Sequence, residues 1–233
     1  MTWLITVAME MEARLLIERL APAPPLGGRP SFAGELPGPA AGRRVCLLLT
    51  GMGQVNAAQA TAAALERLAE VEAVLNLGCA GAYPGSGLLV GQAAVASEAV
   101  HADLGVLTAR RWRPLDLTGI PLMRDPQGRP LFNRLPVDQA LTDQLCAGRP
   151  GIGRGPFATV NQVSGDQETA RDLEQRWGAL LEDMETAAVA QVAAWYHRPF
   201  AALRGASNIA GRRELDVAAG AEAAQRVLLG EEA

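Results

Sequence analysis

Short apolar runs of strand length recur along this chain, each leading through small residues into an alanine-rich stretch with helical spacing, and that alternation confines it to an α/β fold. The first run, residues 4–8, leads into residues 9–20, where Met11, Leu15, Leu16 and Leu20 predict a helix. Residues 21–43 are rich in proline and glycine and read as loop with at most one short strand. A second strand at 45–49 leads through Thr50-Gly-Met-Gly53 into a helix over 55–69; a third at 74–77 leads into Gly78-Cys-Ala-Gly81. Further strands are expected at 92–99 and 158–163. Residues 104–155 show little periodicity beyond a helix near 138–146. The last third predicts a helix over 184–196, a strand at 200–203, a polar loop and a helix over 217–229.

With 233 residues, 49% apolar and 20% charged, the expectation is one compact domain over residues 1–233. The net charge of −4 offers no broad cationic surface, so nucleic acid is a poor partner. Every basic residue is arginine, which removes the Walker A lysine and any lysine Schiff base. Two histidines and three cysteines without ligand spacing argue against a metal site. The unpaired thiols read as buried small residues in a reducing compartment. The first residues lack a basic n-region and carry carboxylates from Glu10, so neither a signal peptide nor a membrane span is expected, and the location expected is cytoplasmic.

Open α/β sheets bind ligands beyond the carboxyl ends of their strands. The residues there are Glu10 and Glu12, Gly78 to Gly81, Met184 with Glu185, and Arg204 to Asn208. Glu10 and Glu12 could simply favour a helix start, or one of them could serve as a general base. Glu185 could grip a ribose diol while Met184 packs on the sugar. Arg204, at the end of a buried strand, needs a partner. Ser207-Asn208 could be a turn or a planar hydrogen-bonding edge. The glycines of Thr50 to Ala57 lack the third glycine and the acid of a dinucleotide site.

Taken together, Ala8-Met-Glu-Met-Glu12, Thr50-Gly-Met-Gly-Gln-Val-Asn-Ala-Ala58, Asn76-Leu-Gly-Cys-Ala-Gly81, Asp183-Met-Glu185 and Arg204-Gly-Ala-Ser-Asn208 resemble, in order, the nucleoside phosphorylase/nucleosidase superfamily over nearly the whole chain. Residues 97–123, 155–170 and 204–214 resemble its futalosine hydrolase branch, which acts in a menaquinone pathway. The resemblance implies a three-layer α/β/α fold with a mixed, partly barrelled central sheet, no cofactor, a purine nucleoside substrate and a homo-oligomer. It implies that Glu12 activates water, that Met184 and Glu185 hold the ribose, and that Arg204 and Ser207 order the loop from which Asn208 faces the purine. Cys79, Ala80 and Gly81 would line the pocket. An amide at Asn208 can bridge N7 and O6 of hypoxanthine, whereas methylthioadenosine/adenosylhomocysteine nucleosidases carry aspartate there. The arginine positions of the phosphorylases read Met9 to Glu12 and Asn76 here, so the pocket is expected to lack arginine and to use water.

The chain departs from the pattern in three places. Cys79 replaces a serine, Glu168 and Thr169 stand where an aromatic residue stacks on the base, and Leu215 or Val217 stands near an expected tryptophan. Base stacking then falls to Phe157 or Val163. His101 and Asp103, or Arg212 and Arg213, could recognise the substrate's carboxyphenyl tail, against a packing role for the first pair and a solvated loop for the second. Two alternatives stay open: a methylthioadenosine/adenosylhomocysteine or aminofutalosine nucleosidase, and a non-catalytic nucleoside-binding protein.

Overall fold

The computed structural model of the chain describes residues 2–109, 111–212 and 214–231. Strand β1 (Thr2–Val7) is followed by a 3-10 turn at Glu10–Glu12 and one helical turn, α1 (Arg14–Ile17), instead of the continuous helix expected over 9–20. The break falls at Ala13, whose φ of −118° and ψ of 7° leave the helical region. The segment expected as loop contains the hairpin β2 (Ala21–Leu26) and β3 (Arg29–Glu35). Pro22, Pro24 and Pro25 are tolerated because β2 is the outermost strand, where a missing N–H breaks no second ladder.

Strand β4 (Arg44–Leu49) and helix α2 (Gln54–Arg67) lie close to expectation. Strand β5 (Val71–Ala82) runs 12 residues, straight through the glycines expected to form a loop. Strand β6 (Ala93–His101) precedes two small hairpins, β7 (Gly105–Leu107) with β8 (Trp112–Pro114) and β9 (Met123–Arg124) with β10 (Pro130–Leu131). Strand β11 (Arg134–Pro136) joins the main sheet, and α3 (Gln139–Cys146) begins where the Asp138 carboxylate accepts the Leu141 N–H. Strand β12 (Gly153–Thr159) ends before residues 160–163, which were expected to be strand. Then come α4 (Gln167–Trp177), β13 (Leu181–Asp183), α5 (Thr186–Trp195), β14 (Phe200–Ile209) and α6 (Val217–Leu229).

The main sheet is mixed and half closed. β1 lies parallel between β4 and β5, with β3 and β2 continuing that wing antiparallel. On the other side, β5 pairs with β14, β14 with β6, β6 with β12, β12 with β13, and β13 again with β5, closing a five-strand ring. Alternate residues feed opposite layers, as strand geometry requires. Leu4, Leu48 and Val74 enter the core beneath α2 and α5, while Ile5, Leu47 and Leu75 enter the one beneath α6. The three-layer α/β/α arrangement with a partly barrelled sheet is therefore present. No helix among the described residues is long and apolar enough to cross a membrane.

Candidate active site

The carboxyl ends of β1, β4, β5 and β14 converge, and the polar side chains gather there. Glu12 is buried, with Oε1 accepting the Cys79 N–H at 2.9 Å and Oε2 the Met9 N–H at 3.2 Å. The interrupted helix explains this geometry: a turn that stops at Ala13 lets the carboxylate fold back and across to β5. Gly78 has to lack a side chain, since a Cβ would collide with the Arg204 guanidinium and with Glu12 Oε1.

Arg204, 1% exposed, is the hub of this end. Its Nη2 donates to Asn76 Oδ1 at 2.6 Å and lies 3.3 Å from Glu185 Oε2, and its Nε lies 3.5 Å from Asp183 Oδ2. Burial alone would lower its pKa, but Asp183, Glu185 and Glu12 outweigh that and hold it above the usual value. Burial pushes the Glu185 carboxyl upward, with Arg204 opposing the shift, and Glu185 Oε1 accepts the Gly53 N–H at 2.8 Å. Asp183 is fixed by Thr159 Oγ1 and by the Glu185 and Thr186 N–H groups, each at 2.9 Å. The expectation of a pocket without arginine is thus corrected, although Arg204 is already occupied by carboxylates. A second arginine, Arg29, is half-buried, reaches the Gly51 turn and donates to Asn56 Oδ1 at 2.6 Å.

Arg204 therefore does not order the loop of Asn208, as the sequence reading had it; its contacts are with Asn76, Asp183, Glu185 and Thr186. Ser207 and Asn208 lie within β14 and not in a loop, because β14 continues pairing with β5 past Arg204. The Ser207 hydroxyl stands 2.9 Å from Asn208 Oδ1 and 3.1 Å from Ala80 O, so it orients the amide. Asn208 Nδ2 faces Gly81, across which lies Glu182. Cys79, Ala80 and Gly81 form the strand floor between the two ends. Burial, then the charge of Glu12, pushes the Cys79 thiol up to about 12, so it stays neutral.

Met184 is half-buried between Asp183 and Glu185. Val163 is 60% exposed in the loop after β12. Phe157 is 0% exposed and packs in the core under α5, so it has no face to offer a base, a correction to its candidacy for stacking. His101 is buried between Gln54 and Gln191, at 2.9 and 3.0 Å, and Asp103 accepts from Asn161, which places both in packing roles. Arg212 is exposed, and Arg213 lies outside the described residues. Among the described residues no group of three His, Cys, Asp or Glu side chains could hold a metal. A surface cleft of about 660 Å³ near Gln92, Arg149 and Glu231 shares no residue with the site.

Sequence reasoning missed Asn76 as the Arg204 partner, Asp183 as its anchor, and Glu182. The visible signal was the pair of acids, Glu182-Asp183, placed directly before Met184-Glu185 in an otherwise apolar stretch.

Residues 2–229 match the family model described as Phosphorylase superfamily. The chain belongs to the phosphorylase superfamily. Among its relatives in that family, futalosine hydrolase of Thermus thermophilus is 42% identical over 167 residues, 72% of this chain and 70% of that one. The 5'-methylthioadenosine/S-adenosylhomocysteine nucleosidase of Bacillus thuringiensis is 33% identical over 210 residues, 88% of this chain and 84% of its own. The solved nucleosidase of that kind from Neisseria meningitidis, in complex with methylthio-immucillin-A, superimposes with a TM-score of 0.80 at 25% identity, covering 98% of this chain and 97% of its own. Family members so named cleave N-glycosidic bonds, and this chain is an enzyme of that superfamily.

Proposed function

We propose that the protein is a purine nucleosidase that hydrolyses the N-glycosidic bond of futalosine and releases hypoxanthine, in menaquinone biosynthesis. The observation that carries this reading is the arrangement of two buried carboxylates, Glu12 and Glu185, about Arg204 at one end of β5 and β14, with the Asn208 amide further along the same two strands. Both Glu12 oxygens hold backbone N–H groups, so the carboxylate is fixed to accept a proton from water attacking the anomeric carbon. Glu185, steadied by Gly53 and Arg204, takes the ribose hydroxyls with Met184 against the sugar. Cleavage passes through an oxocarbenium-like state, and carboxylates beside the sugar stabilise its positive charge. Asn208, oriented by Ser207, donates toward N7 and O6 and supports the departing base. Val163 covers the base from the loop after β12.

Arg204 already faces two carboxylates, Glu185 and Asp183, whose charge disfavours a phosphate beside them, which supports water over phosphate as the nucleophile. Hydrolysis of this kind needs no cofactor. The same reading makes the protein one domain over residues 1–233, cytoplasmic and independent of nucleic acid and membrane. It also makes it a homo-oligomer, which light scattering tests.

The deciding experiment measures base release from futalosine, inosine, methylthioadenosine and aminofutalosine, each with and without phosphate. Hypoxanthine from futalosine, indifferent to phosphate, is expected. Adenine release would transfer the assignment to the methylthioadenosine/adenosylhomocysteine reading, which the longer match to those nucleosidases favours. Phosphate dependence would make it a phosphorylase.

A further inference from the structure

The mechanism above leaves Arg29 unused. It opens β3 beside the hairpin turn of Gly27 and Gly28, whose φ values of +57° and +78° suit glycine. A Cβ on Gly27 would stand 2.6 Å from that of Ala63, so the missing side chain is what lets the hairpin lie against α2. Arg29 thereby reaches across the start of α2 to the turn after β4. Its Nη2 donates to Asn56 Oδ1 at 2.6 Å, and a Cβ on Gly51 would stand 3.1 Å from its Nη1. Asn56 in turn donates to Met52 O at 2.8 Å, which fixes amide and guanidinium against the turn. Arg29 is half-buried, and among the described residues no carboxylate pairs with it and the bond to Asn56 is the one that its five N–H donors make.

The turn it touches belongs to the sugar end of the site. The Thr50 N–H donates to Val7 O at 2.8 Å and the Gly51 N–H to Ala8 O at 2.9 Å, closing the turn against the end of β1. Both carboxylates are tied to this seam, Glu12 through the Met9 N–H and Glu185 through the Gly53 N–H. The strand order β4, β1, β5, β14 places the turn on one flank of the carboxylates and Asn208 on the other. A nucleoside with its sugar beside Glu12 and Glu185 and its base beside Asn208 therefore directs a substituent on the far side of the sugar toward Gly51 and Arg29. Met9 and Met52 are exposed on that flank, and adaptable thioethers pack well against an aromatic ring.

We propose that Arg29 binds a carboxylate at the end of the substituent on the sugar, so that the enzyme selects nucleosides with an anionic tail over those with a neutral one. This rests on the nucleosidase reading of the site, and it gives the substrate's carboxyphenyl tail a partner other than the exposed Arg212. An anionic tail brought up beside Glu12 and Glu185 is repelled by them, so a cation on this flank is what admits it; a neutral tail needs none. The planar guanidinium matches a carboxylate, and the bond to Asn56 sets its plane while leaving other N–H groups to donate. Free phosphate presents the same oxyanion chemistry. The carboxylate is favoured because Arg29 contacts Gly51 and Asn56 and neither Glu12 nor Glu185, so an anion held there lies to the side of the carbon under attack.

The test measures kcat and KM for futalosine and for its carboxamide, whose tail is neutral, in the wild type and in Arg29→Gln, with and without phosphate. The wild type is expected to prefer futalosine by about tenfold to a hundredfold in kcat/KM, the range for a hydrogen bond to a charged group, and to do so through KM. In Arg29→Gln, futalosine should fall to the level of the carboxamide while the carboxamide is unaffected; a merely structural loss would lower both alike. Equal kcat/KM for the two substrates in the wild type, or a preference that survives in Arg29→Gln, overturns this inference and leaves the nucleosidase reading standing. Turnover that needs phosphate, and loses its response to phosphate in Arg29→Gln, assigns the arginine to phosphate and overturns both. Cleavage of methylthioadenosine without cleavage of futalosine overturns the substrate reading and this inference with it. If Arg29→Gln does not fold, Arg29→Lys decides, since it keeps the charge but not the fork: a reduced preference is expected, and an unchanged one overturns the proposal.

Discussion

The two ends of the site are built on opposite electrostatic plans. At the sugar end, Asp183 and Glu185 close on Arg204, with Asn76 and Thr186 also accepting from it and Glu12 close by. At the base end, Glu182 has no ion pair among the described residues; Ser164 holds it, the Tyr83 hydroxyl stands beside it, and both Tyr83 and Asn208 are neutral. The first plan holds net negative charge in fixed positions where a cationic transition state would form. The second spends no counter-charge and so leaves hydrogen-bonding capacity for a neutral heterocycle. Rate would be set at the charged end and identity at the neutral one, and the two can be broken separately.

Arg204→Leu should have the largest effect. It leaves Asp183 and Glu185 buried without their cation, and loss of one partner from a buried pair costs about 3–5 kcal/mol. Denaturant unfolding should show that loss together with abolished turnover. A midpoint near that of the wild type would mean that water reaches these carboxylates.

Glu12→Gln touches the same end without removing the hub. Base release should fall by about a hundredfold to ten-thousandfold, the range for losing a general base, with stability and ligand affinity retained. Equal losses in affinity and turnover would turn Glu12 into a binding residue.

How far such a site was legible depends on what its residues do to the chain. Glu12 follows the apolar run of β1, Glu185 stands at the start of the apolar helix α5, and Asn208 continues the strand opened by the apolar run at 200–203, so the α/β pattern exposed them. Phe157 was misjudged because an aromatic in a short strand looks the same whether it faces a ligand or the core. The extensions of β5 and β14 were invisible for a different reason. Gly78 to Ala82 and Arg204 to Asn208 are small or polar, and they remain strand because each pairs with the other within the ring. Helix α4 has its caps, Asp166 and Gly178, but few apolar residues to mark its face. The buried roles of Glu182 and Asp183 escaped notice because periodicity predicts burial for apolar residues and says nothing about acids held by Ser164 and Arg204.

Ser207→Ala sharpens the comparison at the neutral end. The hydroxyl lies within reach of Asn208 Oδ1, and one such bond is worth about 1 kcal/mol. Freed to rotate, the amide should lower kcat/KM for futalosine by about five- to tenfold while leaving Glu12-dependent chemistry intact. A pH profile of kcat unchanged in shape would confirm that only orientation was lost.

The smallest expected effect distinguishes the two plans by pH alone. The Glu182 carboxyl is held above its ordinary value by burial, so the folded protein binds its proton more tightly than the unfolded chain does. Its contribution to stability is complete below the ordinary carboxylate pKa and is lost as pH rises through the elevated folded one. Glu182→Gln carries no such titration, so the stability of the wild type relative to this variant should decline as pH is raised from about 4 toward neutrality. Glu185 is shifted in the same direction, but Arg204 opposes the shift and its removal also strands the cation, so Glu185→Gln should be destabilised throughout. Unfolding curves of the two glutamine variants across pH should therefore differ in form. A pH-independent difference for Glu182→Gln would mean that the base-end carboxylate is solvated after all, and with it would go the distinction between a paired and an unpaired end.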